Sequence, residues 1–307
     1  MTRVLVIGGT RFIGAHVTRQ LFAQGADVTV YHRGLTEHPL LPAVAHVCSP
    51  SAEYPIVDFP EALKRDWDAV IHMVAMGEAD ARAAADAFDG RAGRMVLISS
   101  GDVYRAYGRL TRLEPGPPDP VPLTEDAPLR TRLYPYRGQE KALSPYAHDY
   151  EKILAERAVM DSAVPWTVLR LPKVYGPEDN ADLRTIYMAA SQPSWRWTHG
   201  HAENVAAAIV LAALSARAAY RIYNVGEPRT PSMGERLARL PAAPAVPPPP
   251  FDFKQSMEVD TQRIRDELGY AELLDEPKAM RDLAFSQVAR VDPEPSAGYT
   301  PASPEGN

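Results

Sequence analysis

The chain has 307 residues, of which 45% are hydrophobic and 23% charged, an ordinary composition for a globular protein of one large domain or slightly more. Its formal net charge of -6 argues against a nucleic-acid-binding protein, which would need clustered lysines and arginines. The one cysteine, Cys48, excludes an internal disulfide. The N-terminus lacks a signal-peptide pattern, and the longest apolar run, around 205–214, is too short to span a bilayer. We therefore expect a soluble cytoplasmic protein that binds a small molecule, and neither a nucleic acid nor a membrane.

The first thirty residues read strand, glycine loop, helix, strand. Residues 3–7 (RVLVI) and 26–31 (ADVTVY) are β-branched runs, and residues 12–24 have helical periodicity. Such short connections predict a parallel, right-handed crossover. The loop between Gly8 and Gly14 would hold a pyrophosphate, because Gly8 allows a tight turn and the helix N-terminus adds its positive end.

The alternation continues along the chain. We predict strands at 68–75, 94–100 and 166–171, and helices at 78–89 and 149–161. This order predicts an α/β fold, a doubly wound parallel Rossmann sheet over residues 1–176. A proline-rich insertion (105–145) interrupts it, a small substrate-binding C-terminal lobe over 177–290 is partly interleaved with it, and the tail 291–307 has the composition of a disordered segment.

Several segments together resemble one family. The loop GGTRFIG, the strand ISSGDVY (98–104) and the segments LRLPKVYGP (169–177) and THGHAENVA (198–206) are similar to those of extended short-chain dehydrogenase/reductases of the NAD-dependent epimerase/dehydratase family. The loop itself resembles the branch that carries GGTRFIG. The resemblance implies an NAD(P)-dependent oxidoreductase or epimerase that acts on a sugar nucleotide, or a similar hydroxylated small molecule, through a transient ketone. It also implies these cofactor contacts: Gly8, Thr10, Arg11, Phe12, Ile13, Gly14, Val74, Lys152 and Leu171.

Two arginines bear on the choice of cofactor. Arg11 stands where the family has a middle glycine, and the second strand ends in Tyr31-His32-Arg33 rather than in the acid that would hold the ribose hydroxyls of NAD. Arg11 and Arg33 together could bind a 2′-phosphate through charge-assisted hydrogen bonds. The sequence therefore favours NADP, with NAD as the alternative if both arginines are solvated surface charges.

The catalytic residues that the resemblance implies are incomplete. Ser100 takes the role of the family serine and Lys152 that of the lysine, but the residue four positions before Lys152 is His148 instead of tyrosine. On a regular helix, residues 148 and 152 would share one face, and Tyr146 and Tyr150 the opposite one. Three alternatives follow: His148 is the acid/base, Tyr146 is the functional tyrosine after a shifted helix start, or the site has lost its redox acid, with Tyr150 in a position common in this branch.

The substrate side is less specific. Asp102 stands where dehydratases of the family carry an acid, Tyr104 follows it, and Arg196 could hold a diphosphate. The histidines have no metal-ligand spacing, so we expect no metal. Two other functions stay open: a catalytically weak cofactor-binding protein, and an NADP-dependent carbonyl reductase for a non-sugar substrate, favoured by a pocket without a basic group near Arg196. A homodimer through helix 149–161 is the expected assembly.

Overall fold

The computed structural model describes residues 1–35, 41–49, 51, 54–141, 143, 145–177, 183–242 and 246–291. The strands are β1 (Arg3–Ile7), β2 (Asp27–His32), β3 (Ala45–Cys48), β4 (Ala69–His72), β5 (Met95–Ser100), β6 (Trp166–Leu171), β7 (Lys173–Tyr175), β8 (His199–His201) and β9 (Arg221–Asn224). The helices are α1 (Phe12–Ala23), α2 (Glu78–Ala87), α3 (Arg105–Leu110), α4 (Lys152–Met160), α5 (Arg184–Tyr187), α6 (Ala202–Leu214), α7 (Met233–Leu237), α8 (Gln262–Leu268) and α9 (Glu276–Val291).

Seven strands form one parallel sheet in the order β3-β2-β1-β4-β5-β6-β9. Successive residues of β1 point to opposite faces, so that Val4 and Val6 pack in the core with α1 and α6, and Leu5 and Ile7 pack in the core with α2 and α4. The predicted doubly wound α/β fold is confirmed. In the described residues no helix combines the length and the apolar character needed to cross a membrane.

A third core joins the proline-rich insertion to the C-terminal part of the chain. Tyr107 of α3 shares this core with Trp195, Met233 and Met257. The backbone N–H of Leu123 donates to the carbonyl of Glu258 at 2.8 Å, which ties the two segments together. The insertion therefore packs with the C-terminal part of the chain, and we refer to the two together as the smaller lobe. The predicted disorder of 291–307 concerns residues that, after Val291, lie outside the described ones.

The helix predicted over 149–161 begins only at Lys152, and this prediction was wrong at its start. The Glu151 carboxylate caps the helix by accepting the N–H of Ile153 at 3.0 Å. Glu151 is itself held by a buried ion pair with Arg130, at 3.1 Å. Because the backbone at Glu151 is extended and Tyr150 precedes it outside the helix, the helical argument that separated Tyr150 from Lys152 does not apply.

Candidate functional site

The glycine loop after β1 is closely packed around the N-terminus of α1. Gly8 has a φ of +88°, and a Cβ on Gly14 would lie 2.4 Å from the carbonyl oxygen of Gly8. The Thr18 hydroxyl fastens the loop, since it donates to the carbonyls of Gly9 at 2.9 Å and of Gly14 at 3.0 Å. This cradle, which any side chain at Gly14 would fill, fits the pyrophosphate of a dinucleotide at a helix N-terminus.

A cavity of about 270 Å³ continues from this loop along the end of β2. Arg11, Arg33, Tyr54 and Val74 are among its lining residues, and the Arg33 guanidinium lies over the Tyr54 ring, 4.4 Å from its centroid. The described residues on its wall include no carboxylate. The structure thus brings Arg11 and Arg33 to one cavity, as the sequence suggested. Tyr54 is a contact that the sequence analysis missed, because it lies in an irregular segment far from either arginine in the chain.

A second cavity, of about 530 Å³, opens at the carboxyl ends of β5 and β6. Of the residues predicted from the sequence, the following line it: Ser100, Asp102, Tyr146, Tyr150 and Leu171. Tyr146, 41% exposed, also lines the cavity beside the glycine loop, so that the two cavities meet at this ring. A nucleotide lying across the carboxyl edge of the sheet would reach from one cavity to the other.

Asp102 is the polar centre of the larger cavity. It is 5% exposed, and its Oδ2 accepts hydrogen bonds from the hydroxyls of Tyr150 and Tyr136, each at 2.9 Å. The Tyr107 and Tyr136 hydroxyls lie 3.0 Å apart. Oδ1 of Asp102 is buried and has no hydrogen-bond partner within the described part of the chain. Burial raises the pKa of Asp102, while the Arg130 guanidinium and the two phenols act in the opposite direction.

Lys152 lies beside this cluster at the start of α4. Its ammonium donates to the carbonyls of Ala75 at 2.6 Å and Ile98 at 2.9 Å, and lies 5.5 Å from the centroid of the Tyr150 ring. Burial lowers the pKa of Lys152 to about 8. Burial also raises the pKa of Tyr150 well above its ordinary value, and a hydrogen bond with the Ser100 side chain works against that rise. Ser100, Tyr150 and Lys152 are therefore together in space.

Of the predicted catalytic and substrate-binding residues, Lys152 lies beside the larger cavity without lining it, and His148, Tyr104 and Arg196 do not line it either. The side chain of His148 is 56% exposed, with Nδ1 3.1 Å from Oε1 of Glu140. Tyr104 is fully buried, and its hydroxyl donates to Oδ1 of Asn224 at 2.6 Å. Arg196 donates to the carbonyl of Thr230 and lies near two carboxylates: Glu235 at 3.7 Å and Glu258 at 4.0 Å.

One residue of the cluster was not anticipated. Tyr136 belongs to the proline-rich insertion, which has no regular periodicity around this position, so no sequence pattern indicated that its ring would reach Asp102. The insertion thus supplies a side chain to the wall of the cavity as well as to the core beneath it.

The parallel sheet and the glycine loop define a Rossmann-type α/β fold. The chain belongs to the NAD dependent epimerase/dehydratase family, whose model matches residues 4–226. The branch that reads GGTRFIG stays a prediction. No curated protein matches the sequence of this chain.

Solved structures with the same fold include an epimerase, a dehydratase and a short-chain dehydrogenase/reductase superfamily protein. A UDP-glucose-4-epimerase from Stenotrophomonas maltophila, with bound NAD and formylated UDP-arabinopyranose, is 20% identical with a TM-score of 0.69, over 95% of this chain and 99% of that one. The NAD-dependent NDP-hexosamine 5,6-dehydratase TunA, of tunicamycin biosynthesis, is 20% identical with a TM-score of 0.67 over the same shares. A short-chain dehydrogenase/reductase superfamily protein from Agrobacterium tumefaciens with bound NAD is 19% identical, with a TM-score of 0.67 over 94% of this chain and 98% of that one. At these identities the likeness establishes the fold.

Proposed function

We propose that this protein is an NAD(P)-dependent oxidoreductase or epimerase that removes hydride from a secondary hydroxyl of a small molecule and passes through a transient ketone. Tyr150, rather than His148 or Tyr146, moves the hydroxyl proton. The observation that carries this assignment is the hydrogen bond of 2.9 Å from the Tyr150 hydroxyl to Oδ2 of Asp102, inside the larger cavity and beside Lys152.

The proton path follows from the direction of that hydrogen bond. Tyr150 donates to Asp102, so its oxygen is free to accept the proton of a substrate hydroxyl while its own proton passes to the carboxylate. The raised pKa of Asp102 makes this carboxylate a better proton acceptor than an exposed one. The Ser100 hydroxyl can hydrogen-bond the same substrate oxygen. The positive charge of Lys152 stabilises the negative charge that develops on this substrate oxygen. A nicotinamide cofactor, held by the glycine loop, would supply the hydride acceptor.

The cofactor within this proposal is NADP. Arg11 and Arg33 line one cavity whose described wall carries no carboxylate, which supports a 2′-phosphate there. The Tyr54 ring beneath Arg33 supports this guanidinium in position. NAD is the alternative, in keeping with the NAD that is bound in two of the neighbouring structures.

Substrate class, assembly and location belong to the same proposal. A nucleotide sugar is supported by the printed names of the structural neighbours, which include a UDP-glucose epimerase and an NDP-hexosamine dehydratase. A non-sugar carbonyl substrate is the second candidate, favoured because Arg196 is not among the described lining residues of the larger cavity and lies near the carboxylate of Glu235 instead. A cytoplasmic homodimer through α4 stays a prediction.

The test is the formation of reduced cofactor under single-turnover conditions. The purified protein is mixed with NADP or NAD and a panel of secondary alcohols, including UDP-glucose and uncharged glycosides, and reduced-nicotinamide fluorescence is followed. The proposal expects fluorescence with at least one alcohol in the native protein and its loss in Tyr150→Phe. Tight cofactor binding without reduction by any alcohol would instead support a catalytically weak cofactor-binding protein.

A further inference from the structure

The larger cavity has an unusual distribution of charge for a phosphate-binding site. Of its described lining residues, Lys173 is the one lysine or arginine. The rest of the wall is mainly aromatic and aliphatic, and it includes Tyr107, Trp197, Met257 and Val259. A diphosphate is normally bound by arginines or by a helix N-terminus, and this wall offers little of either.

Arg196 and several other arginines of the smaller lobe are held by carboxylates or carbonyls of the protein. Arg196 could reach a ligand only by leaving the Thr230 carbonyl and the carboxylates of Glu235 and Glu258. Other described ion pairs of the lobe's arginines include Arg229–Glu235, Arg236–Glu227, Arg263–Asp126 and Arg265–Glu272. A diphosphate would therefore have to compete with carboxylates that are already in place.

Asp102 adds a second, independent observation. Its Oδ1 is buried, lacks a hydrogen-bond partner among the described residues, and belongs to a residue that lines the cavity. An unsatisfied buried oxygen of this kind is stabilised by a hydroxyl or N–H donor. The carboxyl group also penalises an anion nearby, because like charges in a partly buried site repel strongly.

This inference rests on the hydride transfer proposed above but departs from its nucleotide-sugar substrate. We propose that the cavity binds an uncharged, hydroxylated compound with a flat apolar face, and that Oδ1 of Asp102 accepts a hydrogen bond from one of its hydroxyl groups. The flat face packs on Trp197 and Met257, and a second hydroxyl, the one that is oxidised, lies against Tyr150. The insertion supports this specificity, because Tyr136 occupies Oδ2 and leaves Oδ1 for the ligand.

Calorimetric titration separates this proposal from the proposed reaction, since binding is read without turnover. The protein, saturated with its reduced cofactor, is titrated with 4-nitrophenyl glucoside, an uncharged aryl glycoside, and in parallel with UDP-glucose and UDP. We expect the aryl glycoside to bind more tightly than either nucleotide. Asp102→Asn should weaken its affinity by about tenfold to a hundredfold, the value of a hydrogen bond to a carboxylate.

Two further variants make the outcome specific. Trp197→Leu should also weaken binding of the aryl glycoside, because it removes the flat surface. Asp126→Asn is the control and should leave the affinity unchanged, because the Asp126 side chain is 81% exposed and pairs with Arg263. Tighter binding of UDP-glucose than of the aryl glycoside, or equal glycoside affinities in the native protein and Asp102→Asn, would overturn the proposal. Binding of the glycoside in this titration, with no reduction of the oxidised cofactor by the glycoside in the single-turnover assay, would leave the substrate class intact and contradict the proposed reaction instead.

Discussion

The Tyr150 and Tyr136 hydroxyls donate to one and the same oxygen of Asp102, each at 2.9 Å. The first tyrosine precedes α4, and the second comes from the proline-rich insertion of the smaller lobe. The proton transfer that we propose through Tyr150 therefore depends on a contact across the two parts of the fold, because the Tyr136 hydroxyl affects how readily Asp102 accepts a proton.

Removal of this second donor should shift the pH dependence of the reaction. Two hydroxyls that donate to Asp102 stabilise its ionised form, so Tyr136→Phe raises the pKa of Asp102 further. If Asp102 must be ionised to accept the proton, the acid limb of kcat moves to higher pH. Pre-steady-state rates across the acid range measure this. Tyr220→Phe, at an exposed ring that packs on Trp166, is the matched control, and an equal shift in both variants would contradict the account.

Gly14→Ala should abolish cofactor binding. The added Cβ would lie 2.4 Å from the carbonyl oxygen of Gly8, so the loop must open and its N–H groups lose the pyrophosphate. Fluorescence titration with NADP and NAD measures the loss, and circular dichroism confirms that the variant is folded. Ala23→Ser, at an exposed position in the last turn of α1, should bind as the native protein does. Native affinity in a folded Gly14→Ala protein would show that the pyrophosphate lies elsewhere.

Arg33→Ser should change the cofactor preference. Loss of the charge-assisted contact to a 2′-phosphate is expected to weaken the affinity for NADP by about tenfold to a hundredfold and to leave the affinity for NAD nearly unchanged. Arg65→Ser offers a close control, because Arg65 also stacks on an aromatic ring, Trp67 at 4.2 Å, away from the cavity. A native protein that binds NAD at least as tightly as NADP would refute the preference.

His72 at the end of β4 should make the fold sensitive to acid. It is fully buried, neither ring nitrogen has a hydrogen-bond partner in the described part, and burial lowers its pKa to about 3. The unfolded chain therefore takes up a proton near pH 6.5 that the folded chain refuses, so stability is full above that pH and falls as the pH decreases.

His72→Leu should remove this dependence. We compare the free energy of unfolding of the variant with that of the native protein by urea denaturation at about pH 7 and about pH 5. The difference, variant minus native, should be about 2 kcal/mol larger at the lower pH. His148→Gln, which alters an exposed histidine, should gain much less. A constant difference between His72→Leu and the native protein at both pH values would mean that His72 is protonated in the fold.

Much of the fold could be predicted from the sequence, because parallel strands buried on both faces leave continuous apolar runs. The runs at 3–7 and 94–100 became β1 and β5 within a residue of their predicted bounds. The glycine loop could be predicted equally well, since backbone geometry sets the spacing of its glycines. The start of α4 could not be predicted. Its cap is Glu151, and the carboxylate of Glu151 is held in place by Arg130, which is distant in the sequence.

The site was predictable in its parts but not in its geometry. Ser100, Asp102 and Lys152 were predicted because they match positions of the family that the sequence resembles. The choice among Tyr146, His148 and Tyr150 depended on the backbone of residues 149–151, which precedes α4 and is not helical. Hydrophobic periodicity cannot reveal such a short departure from the helix. Tyr136 and Tyr54 come from irregular segments, and their contacts with Asp102 and Arg33 are set by tertiary packing alone.

The central claim is that Tyr150 moves the proton during hydride transfer. Its most direct test compares the single-turnover rate of cofactor reduction in Tyr150→Phe and in His148→Gln, with the alcohol that the native protein oxidises fastest. We predict a loss of about a hundredfold or more in Tyr150→Phe and a rate within about threefold of native in His148→Gln. A large loss in His148→Gln together with a nearly native rate in Tyr150→Phe would contradict the account.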